Sequence, residues 1–198
     1  MIKTPAFAKT TALQQQLKKG WPSLVAALLI PFMAAAIGGL AMPRSVDGWY
    51  QTLRKPAWNP PAWLFGPVWT VLYLLMGFAS WLVWQTSAKV SGNPKEPLIS
   101  RAAMQKQSAG IHKALTWYGV QLVANALWPL LFFGARRIRF ALGELIVLWT
   151  LIAGTALQFY RIRPAAGELL LPYFAWTAFA ALLNATLWRL NRNRAEGS

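Results

Sequence analysis

Aromatic and amide side chains recur at helical spacing inside long apolar stretches of this chain. One set consists of Gln121, Asn125, Trp128 and Phe132. Their intervals of four, three and four residues place them on one face of a helix. Two further sets also recur at intervals of three or four residues: Trp69, Tyr73, Met76 and Ser80, and Tyr173, Trp176, Ala180 and Asn184. Because a buried polar group must face a bundle interior or a cavity, the three faces could line one aromatic cavity.

A carboxyl group could join this cavity. Glu144 is the one charged residue inside the apolar stretches, and it could equally stay neutral and hydrogen-bonded at shallow depth. The aromatic faces are also typical of a packed bundle core, in which Asn or Gln joins two helices by a hydrogen bond. The spacing alone therefore leaves a ligand pocket and a packed core open.

The residue types exclude most enzyme chemistry. The chain has no cysteine and a single histidine, His112, at the edge of an apolar stretch, so cysteine and multi-histidine metal sites are excluded. The sequence offers no Ser-His-acid set, no carboxylate pair in one membrane layer and no phosphate-cradling loop. Any chemistry would have to come from a bound ligand or from the tryptophans.

Five apolar stretches must position these residues. They are Leu24–Met42, Leu64–Trp84, Ala114–Phe133, Phe140–Phe159 and Leu169–Trp188. Each approaches the ~20 helical residues that cross a hydrocarbon core of roughly 30 Å. With 56% hydrophobic and 13% charged residues, the chain has too little polar surface to enclose such a core in water. The sequence predicts an all-α integral membrane bundle of five transmembrane helices.

This membrane domain is predicted to span residues 21–190, between a basic tail, 1–20, and a C-terminal tail, 191–198. Its first helix is predicted to start near Trp21, where Pro22 suits a first turn. The net charge of +15 comes from Lys and Arg residues between and beyond the apolar stretches. Lipid headgroups, rather than nucleic acid, are therefore the expected partner of these charges.

Two patterns predict helix contacts. The short connections 134–139 and 160–168 predict that the third helix neighbours the fourth and the fourth neighbours the fifth. Ala34, Ala35, Gly38 and Gly39 form two small-xxx-small pairs that let another helix approach closely. That second helix could belong to the same protomer or to a second copy.

The loop between the first two stretches, Pro43–Trp63, holds four prolines and three tryptophans in 21 residues. This composition indicates a stiff loop packed onto the bundle rather than a flexible linker. Trp58 is flanked by Pro56 and Pro60-Pro61, which favours a lid over a ligand. The alternative is a belt of aromatic anchors at the membrane interface.

Four motifs occur in order along the chain. They are Trp49-Tyr50-x-x-Leu53-x-Lys55-Pro56-x-Trp58-x-Pro60-Pro61; Pro67-Val68-Trp69-Thr70-x-Leu72-Tyr73; Gln121-Leu122-x-x-Asn125-x-x-Trp128-Pro129 with Phe132-Phe133-Gly134-Ala135-Arg136; and Pro172-Tyr173-x-x-Trp176-x-x-Phe179-Ala180-x-x-Leu183-Asn184. In these motifs the chain resembles the TspO/MBR family of translocator and tryptophan-rich sensory proteins. The resemblance runs through all five stretches.

The resemblance implies a five-helix bundle, usually dimeric, with an aromatic cavity that binds porphyrins, sterols and synthetic ligands. Positions that match the family's cavity residues are Trp69, Asn125 and Trp176, and Ala180 matches a further pocket position. The ligand-binding residues predicted from the faces, the loop and the resemblance together are Trp49, Tyr50, Trp58, Pro61, Trp69, Tyr73, Gln121, Asn125, Trp128, Phe132, Glu144, Tyr173, Trp176 and Ala180.

Two positions depart from the family pattern. Glu144 stands where the family often has Asp, and Ala185 stands where the sterol motif of the animal proteins needs a Tyr. That motif is weak evidence even when intact. Its absence argues against high-affinity sterol binding by this chain.

These observations favour a multi-pass receptor or sensor, in a bacterial cell membrane, that binds a porphyrin such as protoporphyrin or haem. No obligatory cofactor, metal or nucleic acid is expected, whereas membrane lipids and a second copy are expected partners. One alternative is light-dependent porphyrin breakdown, in which Trp69 or Trp176 would react. The other is a transporter, although five helices without an internal repeat argue mildly against it.

Overall fold

The computed structural model describes the backbone of residues 5–40, 48–90 and 98–195, and the side chains of residues 20–40, 48–87 and 101–192. Within these ranges the chain is all-α. The α-helices are α1 (Pro5–Gly39), α2 (Trp49–Thr52), α3 (Ala62–Val90), α4 (Leu98–Pro129), α5 (Ile138–Ile162), α6 (Pro164–Glu168) and α7 (Leu171–Ala195), and a π-helical turn, Leu130–Gly134, follows α4.

Four segments are long and apolar enough to cross a membrane: Gly20–Gly39, Ala62–Ser87, Ile138–Ile162 and Pro164–Arg192. They coincide with four of the five predicted spans, so an all-α membrane protein is confirmed. The remaining predicted span, 114–133, lies in α4 and the π-helical turn, and the polar residues Gln121 and Asn125 lower its mean hydropathy. A crossing by α4 stays a prediction.

The predicted start of the first helix near Trp21 is wrong, because α1 begins at Pro5 and continues through Pro22 and Pro31. Residues 5–20 contain several strong helix formers, among them Ala, Leu, Gln and Lys, which favour the extension. A proline inside a helix removes one hydrogen bond and bends the helix without having to end it.

The long helices pack as the short connections predict. α4 packs against α5, and α5 packs against α7; α4 also contacts α1 and α3, and α3 contacts α1. A Cβ atom on Gly77 of α3 would lie 2.8 Å from the Ala27 carbonyl oxygen of α1, and one on Gly38 would lie 3.1 Å from the Ala126 carbonyl oxygen of α4. Gly38 therefore permits a close contact within the protomer.

The end of α4 places two aromatic rings side by side. The Ala135 N–H donates to the Leu130 carbonyl at 2.8 Å, and the Arg137 N–H donates to the Leu131 carbonyl at 3.0 Å. Arg136 between them has a φ of 55°, the left-handed conformation common just after a helix. The wider π-helical turn leaves the adjacent Phe132 and Phe133 both buried.

Candidate ligand-binding cavity

A cavity of about 420 Å³ lies between the helical bundle and residues 49–61 of the connection from α1 to α3, and we call it the outer cavity. Its size falls in the ordinary range for small-molecule sites. It is lined by Tyr50, Gln51, Lys55, Asn59, Pro60, Pro61, Ala62, Phe65, Trp69, Trp128, Phe132, Phe133, Trp176, Phe179, Ala180, Leu183, Asn184 and Leu187. The three faces predicted from the sequence, which lie on α3, α4 and α7, thus contribute residues to one cavity.

Aromatic side chains form its walls and pack on one another. Trp128 stacks on Phe132 with ring centroids 5.2 Å apart, and Phe132 meets Phe133 edge to face at 4.9 Å. In a second aromatic group Trp176 contacts Phe65 at 6.1 Å and Phe179 at 5.3 Å. Because neighbouring rings hold each wall in place, the cavity offers preformed flat apolar surfaces.

Residues 49–61, here called the covering segment, close one end of the outer cavity. Tyr50 packs on Phe132 and Phe133, with ring centroids 6.1 and 5.7 Å apart. The Tyr50 hydroxyl donates to the Asn59 Oδ1 atom at 3.1 Å. Burial raises the pKa of Tyr50, and its hydrogen bond with Asn59 opposes that shift. The protonated hydroxyl therefore ties the two ends of the covering segment together at neutral pH.

A positively charged side chain, Lys55, lines the outer cavity where the covering segment meets it. The Lys55 Nζ atom lies 4.6 Å from the centroid of the Tyr50 ring and donates to the Gln51 Oε1 atom at 3.4 Å. Among the described residues, Lys55 is the one charged side chain that lines the outer cavity. The arrangement suits a flat apolar ligand that carries an anionic group at its rim.

A smaller cavity of about 230 Å³, the inner chamber, adjoins the outer cavity. The two cavities share five lining residues: Phe65, Trp69, Trp128, Trp176 and Ala180. Tyr73 and Asn125 line only the inner chamber. The Asn125 side chain accepts from the Tyr73 hydroxyl at 3.3 Å and donates to the Tyr173 hydroxyl at 2.8 Å.

The outer cavity brings together half of the predicted site: Tyr50, Pro61, Trp69, Trp128, Phe132, Trp176 and Ala180. Trp49 and Trp58 line neither cavity; they pack from outside on Phe132 and Phe179, with ring centroids 5.7 and 5.8 Å apart. These two tryptophans support the walls rather than face the outer cavity.

Three predicted polar residues also line neither cavity. Gln121 is fully buried and its Nε2 atom lies 3.6 Å from the Met76 sulfur, while Tyr173 is fully buried beside Asn125. The carboxyl oxygens of Glu144 are buried and have no hydrogen-bond partner among the described residues. Gln121 and Tyr173 are core residues, whereas Glu144 is half-buried.

Other lining residues did not stand out in the sequence. Phe65 precedes Trp69 by one helical turn, and Leu187 follows Asn184 by three residues. Both therefore lie on extensions of the predicted faces. Asn184 lies on one of these faces but is not among the predicted ligand-binding residues. In the orientation that satisfies its amide, Asn184 donates to the Ile138 carbonyl at 3.1 Å and accepts from the Leu142 N–H at 3.2 Å. It therefore also joins α7 to α5.

Comparison with known proteins relates the chain to one family. A model of the TspO/MBR family matches residues 27–189. The chain is 37% identical to the translocator protein of Sus scrofa over 181 residues, which cover 89% of this chain and 95% of the relative. It is also 37% identical to the tryptophan-rich sensory protein of Cereibacter sphaeroides over 175 residues, covering 86% and 95%.

A third relative, protein CrtK of Rhodobacter capsulatus, is 34% identical over 158 residues, which cover 80% of this chain and 86% of the relative. The match to the family model begins in α1 and ends in α7, so it includes every residue that lines the outer cavity. The chain belongs to the TspO/MBR family.

Proposed function

We propose that this chain is a membrane receptor or sensor that binds a porphyrin, such as protoporphyrin or haem, in the outer cavity. The observation that carries the proposal is that two packed aromatic pairs, Trp128 with Phe132 and Phe65 with Trp176, line the same cavity. A large flat ring system gains most from such surfaces because each aromatic contact adds to the area buried. The name of one relative, the tryptophan-rich sensory protein of Cereibacter sphaeroides, fits a sensory role.

The inner chamber extends this site. Trp69 and Trp176 line both spaces, and a movement of these side chains would let a large ligand reach from the outer cavity toward Asn125. A macrocycle with short apolar substituents would use both spaces, with the macrocycle against the walls and a substituent in the inner chamber. Its carboxylates would stay at the edge near Lys55.

We further propose that α4 crosses the membrane as a fifth span. The polar side chains Gln121 and Asn125 are buried in the bundle, whereas Val120, Val123 and Leu127 are exposed. An apolar outside with a polar inside suits a helix that is surrounded by lipid. The predicted homodimer stays a prediction.

A second candidate function is light-dependent oxidation of the bound porphyrin. The observation that favours it is that Trp69 and Trp176 line the same cavity, within reach of one ligand. Dioxygen would be the oxidant, and the light-excited porphyrin would be the reactive species.

One experiment tests both functions. Purified protein in detergent is titrated with protoporphyrin in the dark, and the complex is then illuminated while its absorbance is followed. A saturable one-site titration with a spectrum stable to light supports the receptor. Spectral loss that disappears in Trp176→Phe supports the enzyme, and the absence of saturable binding contradicts both.

A further inference from the structure

The far end of α7 holds the covering segment in place through one side chain. The Asn191 Oδ1 atom accepts from the Arg54 N–H at 2.9 Å, and the Asn191 Nδ2 atom donates to the Arg54 carbonyl at 2.9 Å. The same Nδ2 atom donates to the Leu187 carbonyl one turn earlier on α7, at 2.8 Å. Asn191 is 3% exposed, so its amide is fixed on every side.

The two hydrogen bonds between Asn191 and Arg54, here called the Asn191 clamp, hold the backbone next to Lys55. Because a peptide group is planar, the carbonyl of Arg54 and the N–H of Lys55 belong to one rigid unit. Pro56 follows and restricts the backbone of Lys55 to extended conformations. Asn191 on one side and Pro56 on the other therefore fix where the Lys55 side chain leaves the covering segment.

We propose that Asn191 is a positioning residue that sets the selectivity of the outer cavity for carboxylate-bearing ligands by holding Lys55 at its edge. The inference rests on the proposed binding of porphyrins. Within the described residues that line the outer cavity, no other cation can pair with a ligand carboxylate. If Lys55 moves with an unclamped segment, the charge-assisted hydrogen bond weakens while the apolar walls remain.

The test compares two probes that differ at the two propionate groups: protoporphyrin IX, which carries carboxylates, and its dimethyl ester, which carries neutral methyl esters. The dissociation constant of each is measured for the full-length protein in detergent at neutral pH. One charge-assisted hydrogen bond at a partly exposed site predicts that the wild type prefers the diacid by about tenfold. Lys55→Gln should remove this preference.

Asn191→Leu should lower the preference at least threefold while changing the affinity for the diester by less than about twofold, because the walls stay in place. Unchanged diester binding also reports that the variant is folded.

Arg54→Pro removes the N–H that donates to the Asn191 Oδ1 atom. This variant should also lower the preference for the diacid, and it tests the inference even if Asn191→Leu does not fold. Two residues of α7 that line neither cavity provide controls that should keep the full preference. Arg189→Gln, at an exposed position, matches the charge lost in Lys55→Gln, and Thr186→Val, at a half-buried position, loses one bond to the backbone.

The outcomes separate the two proposals. A wild type that prefers the diacid, with both clamp variants losing the preference, supports the role of Asn191. If the clamp variants keep the wild-type preference, or if the wild type binds diacid and diester equally, the inference is overturned while porphyrin binding stands. Failure of the wild type to bind either probe overturns both.

Discussion

The Asn125 amide donates to the Tyr173 hydroxyl at 2.8 Å, across the interface between α4 and α7. The other end of the same amide accepts from the Tyr73 hydroxyl of α3 at 3.3 Å. One side chain thus joins three helices next to the inner chamber, and its Oδ1 and Nδ2 atoms both have hydrogen-bond partners within the protein. Asn125 combines the interhelical and pocket roles that the sequence left as alternatives.

We predict that Asn125→Leu lowers the stability of the bundle. The substitution leaves two tyrosine hydroxyls in the interior without their partner, which should cost about 2–4 kcal/mol. Thermal unfolding in detergent measures the effect, and Thr150→Val, which removes an exposed bond within one helix, provides the control. Unchanged stability with weakened porphyrin binding would instead make Asn125 a ligand anchor.

Removal of either central indole should weaken porphyrin binding. Trp69 and Trp176 line both the outer cavity and the inner chamber, and loss of a ring that buries 150–250 Å² should cost on the order of 2–4 kcal/mol. Trp69→Ala and Trp176→Ala should therefore bind protoporphyrin roughly 30- to 1000-fold more weakly. Trp63→Ala is the matched control because that side chain is 70% exposed and lines neither cavity. Wild-type affinity in both folded cavity variants would refute the assignment.

A more flexible covering segment should release ligand faster. Pro60 and Pro61 line the outer cavity, and their fixed φ angles lower the entropy lost on closure. Replacing both with glycine should raise the dissociation rate of protoporphyrin more than it changes the association rate. Stopped-flow transfer to empty micelles measures both rates, with circular dichroism as a check on helix content. An unchanged dissociation rate would leave the tryptophans of this loop as interfacial anchors.

The close crossing of α1 and α3 should not tolerate a side chain at Gly77. A Cβ atom there would lie 2.8 Å from both the Ala27 carbonyl oxygen and the Leu28 Cα atom, which are backbone atoms that cannot rotate away. Gly77→Ala should destabilise the protein by roughly 1–3 kcal/mol. Gly143→Ala, in α5 with open space around its Cα, should be neutral or stabilising because alanine favours a helix. Equal melting temperatures for both variants would contradict the packing described for α1 and α3.

Helical spacing predicts which residues meet in the central part of the candidate cavity. Trp69, Trp128 and Trp176 lie on helices whose 3.6-residue period fixes which side chains share a face, so their meeting at one cavity follows from the pattern. Phe133 lies outside the predicted face because it directly follows Phe132. The structure places both residues in the π-helical turn, where both are buried.

Contacts made by irregular segments lay beyond sequence reasoning. Lys55 and Asn59 belong to a stretch without periodicity, so no pattern indicates which way their side chains point. The bonds between Arg54 and Asn191 join residues 137 positions apart, and only the tertiary structure shows that pairing. Glu144 is a different case. A lone carboxyl group in an apolar helix suggested a pocket residue, but Glu144 lines neither the outer cavity nor the inner chamber, and its role in binding stays a prediction.

The most direct test of the binding site uses ¹⁹F NMR of the protein labelled with 5-fluorotryptophan. Single Trp→Phe variants assign the resonances, and protoporphyrin is then added to saturation. The ring current of a porphyrin in the outer cavity should shift Trp69, Trp128 and Trp176 and leave Trp63 and Trp117, which line neither cavity, nearly unchanged. Shifts at Trp63 or Trp117 without shifts at the three cavity tryptophans would show that the porphyrin binds the outer surface, and would contradict the proposed site.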